Sequence, residues 1–283
     1  MQIDLIQIVK ELRENSVSLY PTNIDPKIPA DVAKLFETFC QLPMNVKLLY
    51  SLDPEEDNPK QFDTGYIYRD RKDGSRDSKE MFHYKDGLRD KYRAMGLNLP
   101  DSLDQLLSIM EAIYNLSLMM TAKLTEGLDK DFPGFHDQYF PNGLTGLNPG
   151  NVIRLILYKA QENQLIAVHH RDRSGITFQL AESKGGMWGG VVPQGIIDGC
   201  KGIEDETMRH EYYDPFMSPI NKADTLIPVF FGMKGQNMTN GVLKALMHKV
   251  VDIDSYVEGY TRWSMIFFAH PIKVSAGSKN DRH

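Results

Sequence analysis

The stretch His169–Leu180 reads HHRDRSGITFQL and lies among segments with the composition of β-strands. Side chains of a strand alternate between its two faces. His170 and Asp172 should therefore point the same way, with Cα atoms roughly 6.5–7 Å apart, while His169 points the opposite way. An imidazole and a carboxylate on one face can bind a single cation at about 2.0–2.2 Å each. An H-x-D pair alone is weak support for a metal site, because many strand ends carry one by chance.

Short β-rich segments separated by turn residues run from Asn151 onward, and their close spacing predicts an antiparallel sandwich or barrel. They read NVIRLILYK, QLIAVHH, GITFQLA, TLIPVFF, GVLKALMHKVV and YTRWSMIFFAH. One interruption, at about 182–223, is too long for a plain connection and is predicted to be an insertion. Its residues Met187 and Trp188 could cover the mouth of a site, although ordinary surface decoration is an equal alternative.

The part of the chain before these strands is predicted to be mainly helical. Apolar residues at a spacing of three to four mark helices over Ile3–Glu14, Ala30–Cys40 and Leu103–Leu124. The polar segment Ser51–Arg93 reads as a solvated loop or irregular hairpins. The predicted organisation is therefore a helical region over 1–143, a β-rich core over 144–275 and a short tail over 276–283.

A third metal ligand has to come from elsewhere in the chain, and TNGVLKALMHKVV offers His248. A histidine late in an apolar strand is usually a core residue, so this signal is also weak alone. Arg262 and Ser264 follow and share one face of the next strand. If the two strands form a hairpin centred near Ser255, Arg262 lies opposite His248. The guanidinium and hydroxyl would then suit the far end of a metal-bound dicarboxylate, although an ion pair of Arg262 with a local acid is an equal alternative.

Four motif pieces occur in one order along residues 151–272. They are Arg154-x-x-x-Tyr158, His170-x-Asp172 followed by Thr177, Thr239-Asn240-Gly241 leading to His248, and Arg262-x-Ser264. In this order the chain resembles the iron- and 2-oxoglutarate-dependent oxygenases, and within them the group that includes isopenicillin N synthase and the plant-type dioxygenases. Weaker similarities to the helical N-terminal region of that group lie at Phe39–Lys47, Gly65-Tyr66 and Ser78–Tyr84.

The resemblance implies an α+β fold in which a double-stranded β-helix, or jelly-roll, is flanked by N-terminal and packing helices. It implies that His170, Asp172 and His248 bind Fe(II), with coordination positions left for cosubstrate, O2 and substrate. It also implies that Arg262 and Ser264 bind the C5 carboxylate of 2-oxoglutarate and that Tyr158 helps to hold it. A small molecule would then be hydroxylated, desaturated or cyclised with release of succinate and carbon dioxide.

Several positions depart from the pattern of that group. Ile156 replaces an asparagine often found two positions before the tyrosine, and Gly232-Met233 replaces a Gly-Asp pair. Lys159-Ala160 replaces a Pro-Pro pair, and the interval from Asp172 to His248 is longer than usual. No ligand is lost, but the substrates of the plant enzymes cannot be transferred to this chain. Aromatic candidates for the substrate wall, each of which could instead be core packing, are Tyr66, Tyr68, Phe82, Phe178 and Phe268.

Three alternative functions have to be considered. An oxidase of the isopenicillin N synthase kind takes all its electrons from the substrate and needs no oxoacid, and Arg262-x-Ser264 is compatible with it too. A non-catalytic binding protein on the same scaffold would be expected to lose a ligand, and none is lost here. A hydrolytic zinc enzyme is less favoured, because no glutamate or histidine forms an obvious general-base motif near the ligands.

The composition is that of an ordinary soluble globular chain: 283 residues, 41% hydrophobic, 25% charged and a formal charge of −6. No lysine and arginine stripe indicates nucleic-acid binding, and no apolar run approaches the roughly 18–20 residues of a membrane span. The start lacks the order of a secretory signal, and the two cysteines, Cys40 and Cys200, cannot make a disulfide framework. We therefore expect a cytoplasmic protein that acts on a small molecule without nucleic acid, membrane or an obligate protein partner.

Overall fold

The computed structural model describes residues 3–52, 64–69, 79–141, 150–159, 165–201, 211–221, 225–251 and 261–272. Its helices are α1 (Leu5–Asn15), α2 (Lys27–Cys40), α3 (Met44–Lys47), α4 (Leu88–Ala94), α5 (Asp101–Leu128), α6 (Phe135–Tyr139), α7 (Gln194–Gly199) and α8 (Met233–Met238). Its strands are β1 (Val17–Pro21), β2 (Ser51–Leu52), β3 (Thr64–Arg69), β4 (Lys79–Tyr84), β5 (Val152–Lys159), β6 (Leu165–His170), β7 (Ile176–Glu182), β8 (Met187–Gly190), β9 (Ser218–Pro219), β10 (Leu226–Phe231), β11 (Met247–Val251) and β12 (Thr261–Ala269).

The strands form two antiparallel sheets. Within the described residues, the larger sheet has eight strands in the order β1-β10-β7-β12-β5-β4-β3-β2, and the smaller has four in the order β6-β11-β8-β9. Strands β11 and β12 follow each other in the chain but lie in different sheets, so the predicted hairpin that placed Arg262 opposite His248 is wrong. Arg262 pairs with Tyr158 on β5, while His248 pairs with His170 on β6. The alternation of side chains along β12 agrees with the prediction, but alternation does not specify which strand is the partner.

The larger sheet has one face toward helices and one toward the smaller sheet. On β12, Met265 and Phe267 belong to the main apolar core with α2 and α5, and the Phe267 ring packs edge-on against Tyr114 at 5.7 Å. The alternate residues Arg262 and Ser264 face the other way and line a cavity with residues of β6 and β11. Because successive side chains of a strand point to opposite faces, the core residues of β12 lie on one face and its candidate functional residues on the other.

Helix α5 supplies the central part of this core, and its predicted period is confirmed by the burial of one face. We expect Leu107→Ala to lower the free energy of unfolding by about 2–5 kcal/mol, since Leu107 is 0% exposed and its removal leaves a cavity. The control is Leu116→Ala on the same helix, where the side chain is 40% exposed and a change within about 0.5 kcal/mol is expected. Urea unfolding measures both, and equal losses would contradict this assignment of the core.

The N-terminal part of the chain also contributes strands. Strand β1 extends one edge of the larger sheet through β10, and β4 pairs with β5 near its middle. The polar segment Ser51–Arg93 therefore contains β2, β3 and β4 rather than only a loop, and the irregular-hairpin alternative is the better description. Residues 53–63 and 70–78 of that segment lie outside the described residues. Burial of Tyr66 and Phe82 in the core explains why these short strands form despite polar surroundings.

The predicted insertion at 182–223 begins later than expected. Met187–Gly190 is strand β8, which pairs with β11 and belongs to the smaller sheet. This strand is hard to predict because two of its four residues are glycines, which are rare in strands. Gly190 is required here because a Cβ at this position would lie 1.8 Å from the Phe216 carbonyl oxygen. The inserted segment therefore starts after Gly190, and the 3-10 turn Asp214–Phe216 within it packs closely against the sheet.

Candidate functional site

Two neighbouring strands and the residues that follow one of them bring the three predicted ligands together. His170 ends β6 and is the register partner of His248 on β11, and their ring centroids are 4.2 Å apart. Asp172 lies two residues beyond β6. The candidate ligand atoms of all three residues lie within 4.8 Å of one another. The structure thus brings together the H-x-D pair and the distant histidine that the sequence predicts as ligands.

The geometry of the cluster is compatible with one bound cation. Asp172 Oδ1 lies 3.8 Å from His170 Nε2 and 3.9 Å from His248 Nε2. Two ligands of one ion at about 2.0–2.2 Å each cannot be more than about 4.4 Å apart, and both distances satisfy that limit. A carboxylate and two imidazoles are the ligand set of the non-haem iron oxygenases.

Backbone contacts orient both imidazoles. His170 Nδ1 lies 2.7 Å from the Val168 carbonyl oxygen, and His248 Nδ1 lies 3.3 Å from that of Leu246. A neutral histidine that donates from Nδ1 to a carbonyl keeps a lone pair on Nε2. In both residues that Nε2 is the atom facing Asp172, so the tautomer inferred from these contacts is the one that binds a metal.

The carboxylate of Asp172 is held from its other side. Thr177 Oγ1 donates to Asp172 Oδ2 at 2.9 Å, and Met233 N donates to the Asp172 carbonyl oxygen at 2.7 Å. These bonds leave Oδ1 facing the histidines. The motif reading noted Thr177 only by its position after the H-x-D pair, whereas the structure gives it a contact with a ligand.

Burial keeps His248 neutral. Desolvation, followed by the proximity of His170, lowers the pKa of His248 to about 4, and its ring packs 5.1 Å from that of Phe230. Burial, followed by the charge of Lys234, likewise lowers the pKa of His270 to about 3. Both histidines are therefore neutral in the folded protein at neutral pH.

These two low pKa values predict a loss of stability in acid. The unfolded chain takes up protons on both histidines below about pH 6.5, whereas the folded chain does not, so the metal-free protein should lose about 2 kcal/mol per histidine at pH 5. We expect His270→Phe to remove about 2 kcal/mol of the stability loss between pH 7 and pH 5, which is the share of this histidine. Urea unfolding with a chelator present compares the two proteins, and an identical loss in both would contradict the prediction.

Arg262 and Ser264 are each only 2% exposed and line the same cavity as the triad. Arg262 Nη2 donates to Glu182 Oε2 at 2.5 Å and to the Lys184 carbonyl oxygen at 3.3 Å. The alternative in which Arg262 forms an ion pair with a local acid is therefore correct for Nη2. Sequence reasoning missed Glu182, which was assigned to the start of the insertion. Glu182 lies opposite Ser264 on the paired strand. That pairing is not visible in the sequence, so no sequence signal marks this residue.

Three polar atoms of this pair have no hydrogen-bond partner among the described residues: Arg262 Nε, Arg262 Nη1 and Ser264 Oγ. Buried donors are rarely left unsatisfied in folded proteins, because each costs about 1–3 kcal/mol. The donors adjoin the cavity, and so their partner is expected to be an anionic or carbonyl group of a ligand.

Tyr158 lies between two cations. Arg262 Cζ is 5.6 Å and Lys79 Nζ is 5.8 Å from the centre of its ring. Tyr158 lines the cavity beside Arg262, its register partner. The structure therefore brings all six predicted site residues to one cavity.

The remaining cavity wall differs in part from the aromatic set expected. Phe268 lines the cavity, whereas Tyr66, Phe82 and Phe178 are buried in the main core and Tyr68 packs against it. Met187 also lines the cavity, as a residue of β8 rather than of a lid, and Trp188 packs in a separate apolar cluster on the smaller sheet. The apolar wall is completed by Ile156, Ala167, Phe230, Val250 and Ile266.

Known structures share this fold. A full-length Neurospora crassa protein, crystallised in complex with alpha-KG and thymine, superposes with a TM-score of 0.69 at 15% identity, covering 99% of this chain and 86% of that one. A 2OG-Fe(II) oxygenase family protein of Caulobacter crescentus gives 0.66 at 20% identity, over 94% and 81% of the two chains. An Arabidopsis thaliana dioxygenase for auxin oxidation, in complex with 2-oxoglutarate, gives 0.63 at 14% identity, over 96% and 91%.

The chain matches no protein-family model and no curated protein. The likeness is therefore one of fold: a mixed arrangement of helices and antiparallel sheets shared with 2-oxoglutarate- and iron-dependent oxygenases. None of the described helices combines the length and the apolar content needed to cross a bilayer.

Proposed function

We propose that this chain, which has the fold of the 2-oxoglutarate- and iron-dependent oxygenases, is a dioxygenase of that kind. It would oxidise a small-molecule substrate and release succinate and carbon dioxide. The observation that carries the proposal is a single cavity that holds both the His170, Asp172 and His248 cluster and the unsatisfied donors of Arg262 and Ser264.

The proposal includes a finer description of the fold. The two sheets would be the facing halves of a double-stranded β-helix over 144–275, with 1–143 packed around it. The change of sheet between β11 and β12 supports this description, since jelly-rolls connect strands of opposite sheets. The assignment to the isopenicillin N synthase-like group stays a prediction, as do the cytoplasmic location and the lack of other partners.

The triad fits Fe(II) by its chemistry as well as by distance. Two neutral imidazoles and one carboxylate cancel only one of the two charges of the ion, so an anionic oxoacid can still bind. Three protein ligands on one side also leave positions open for small molecules. His170, Asp172 and His248 would hold the metal, and Thr177 would keep the carboxylate turned toward it.

The Arg262 and Ser264 donors fit the distal carboxylate of 2-oxoglutarate, and Tyr158 would help to hold it. Nη2 is already turned to Glu182, so a bound carboxylate would contact Nε or Nη1 together with the Ser264 hydroxyl rather than both tips of a guanidinium fork. Glu182 would in turn fix the orientation of Arg262. Charge-assisted hydrogen bonds in a buried site are among the stronger protein contacts.

Fe(II), when bound, would supply the oxygen chemistry that is coupled to decarboxylation of the oxoacid. The contribution of the chain is to bind, orient and exclude water. His170 and His248 present Nε2 because their Nδ1 atoms face carbonyl oxygens, and Arg262 sets the direction of the cosubstrate. The apolar side chains Ile156, Ile266 and Phe268 would keep bulk water from the reacting centre.

Reconstitution with Fe(II) under controlled oxygen tests the proposal. We expect succinate to form only when iron and 2-oxoglutarate are both present, and to increase with some members of a panel of amino acids and small natural-product precursors. Oxygen uptake with such a compound but without 2-oxoglutarate would instead indicate an oxidase of the isopenicillin N synthase kind. Failure to bind one equivalent of iron would refute the proposal and favour a non-catalytic binding protein.

A further inference from the structure

A second cationic position lines the cavity away from Arg262. Arg154 on β5 is the register partner of Ile266 on β12 and of His83 on β4. Ile266 lies four residues beyond Arg262 on the same strand, which corresponds to about 13 Å along the sheet. A dicarboxylate held by Arg262 and the triad would therefore leave the region around Arg154 to another molecule.

Two contacts fix the Arg154 guanidinium on the sheet. Its Cζ atom lies 4.8 Å from the centre of the Phe268 ring, and its Nε donates to His83 Nε2 at 2.8 Å. An arginine stacked on an aromatic ring and bonded through Nε has lost much of its side-chain freedom before a ligand arrives. Such an arrangement lowers the entropic cost of binding an anion.

Arg154 also lies close to the candidate metal centre. Thr177, which donates to Asp172, is the register partner of Phe268, the residue on which Arg154 stacks. Arg154 and Asp172 also line the same cavity. A group bound at Arg154 would thus hold the rest of its molecule next to the triad.

The charges and shape of the lining indicate what that molecule is. The acidic side chains among the described lining residues are Asp172, which faces the candidate metal, and Glu182, which faces Arg262. Lys79 and Arg154 add positive charge, and the remaining wall is largely apolar. This lining suits an organic acid with an apolar body better than a neutral or cationic compound.

We propose that Arg154 binds a carboxylate of the substrate and places the apolar part of that substrate over the triad. This inference rests on the proposed oxygenase function and names its substrate class: small carboxylic acids with an apolar body. Arg154 would then be a substrate-binding residue that helps to select which C–H bonds approach the metal.

The test compares acids with their neutral amides. The probes are phenylacetate, 3-phenylpropionate and octanoate, each paired with its primary amide. Binding is measured by calorimetry, without oxygen, on protein loaded with Fe(II) and 2-oxoglutarate. We expect at least one acid to bind at least about 10-fold more tightly than its amide. Arg154→Gln should weaken that acid by about 10- to 100-fold, with little change for the amide and none for iron or 2-oxoglutarate.

Two further variants keep the test decisive. Arg154→Lys retains the positive charge and should fold even if the glutamine variant does not. It should lose less affinity for the acid than Arg154→Gln, because only the planar guanidinium geometry is removed. Lys79→Gln removes one positive charge from the part of the cavity next to Tyr158, and it should weaken binding of the acid much less than Arg154→Gln does. The inference is overturned if no acid binds better than its amide, if acid affinity survives both Arg154 changes, or if Lys79→Gln matches the loss. Absence of iron and 2-oxoglutarate binding in the wild type would instead refute the proposed function.

Discussion

His248→Ala is expected to abolish stoichiometric Fe(II) binding and, with it, succinate formation. His248 is buried, and its Nε2 faces Asp172 at 3.9 Å, so no other described side chain is placed to substitute for it in the cluster. Asp172→Ala should have the same result because it removes the anionic ligand. Anaerobic iron titration followed by a succinate assay measures both effects. Full activity in either variant would show that the metal site is assigned to the wrong residues.

Strand β6 offers a matched control. His169 is adjacent to His170 but faces the other side of the sheet, where its Nε2 lies 2.8 Å from Asp214 Oδ1. Lys249 contacts the same carboxylate at 2.5 Å. We expect His169→Ala to keep full iron stoichiometry and His170→Ala to lose it. If the two variants behaved alike, a general disturbance of the strand rather than loss of a ligand would explain the result.

Arg262→Gln is expected to weaken the binding of 2-oxoglutarate by about 10- to 100-fold, because a charge-assisted contact in a buried site is removed. Iron binding should persist, because the three metal ligands are unchanged. The variant should also be less stable by about 3–5 kcal/mol, since it breaks the buried ion pair of Arg262 with Glu182 and leaves the carboxylate buried. Calorimetric titration of 2-oxoglutarate and urea unfolding measure the two effects separately.

The double variant Arg262→Gln with Glu182→Gln separates ligand binding from folding. Removing the second charge should restore much of the stability, because the negative charge that the first change leaves buried is then removed as well. It should not restore 2-oxoglutarate affinity, since the donor is still absent. Recovery of that affinity in the double variant, or an unchanged oxoacid requirement in Arg262→Gln, would refute the cosubstrate assignment.

The candidate site could be predicted largely because its pattern is local. The alternation of a strand places His170 and Asp172 on one face and His169 on the other, and the structure confirms both statements. The same alternation predicts that Arg262 and Ser264 share one face of β12, and both residues line the cavity. Helix α5 could also be predicted from the sequence, since its apolar residues recur at a regular helical spacing over many residues.

Pairing between distant segments could not be predicted in this way. The polar stretch after Val251 resembles a hairpin turn, yet β11 pairs with β6 and β8 while β12 joins the other sheet. Glu182 illustrates the consequence: its role depends on a partner 80 residues away, and no local feature distinguishes it from a surface acid. For a related reason the sequence does not decide between a loop and irregular hairpins for β3 and β4, because their few apolar residues are stabilised by contacts with the helical core.

The two parts of the proposed site stand on different sheets, with the metal ligands on β6 and β11 or just after β6 and the Arg262 anchor on β12. In the proposed function, the separation of the sheets would therefore determine how many carbon atoms can lie between the two acid groups of a bound oxoacid. Substitutions that bring the sheets closer would favour the four-carbon homologue oxaloacetate. Substitutions that move them apart would favour the six-carbon homologue 2-oxoadipate.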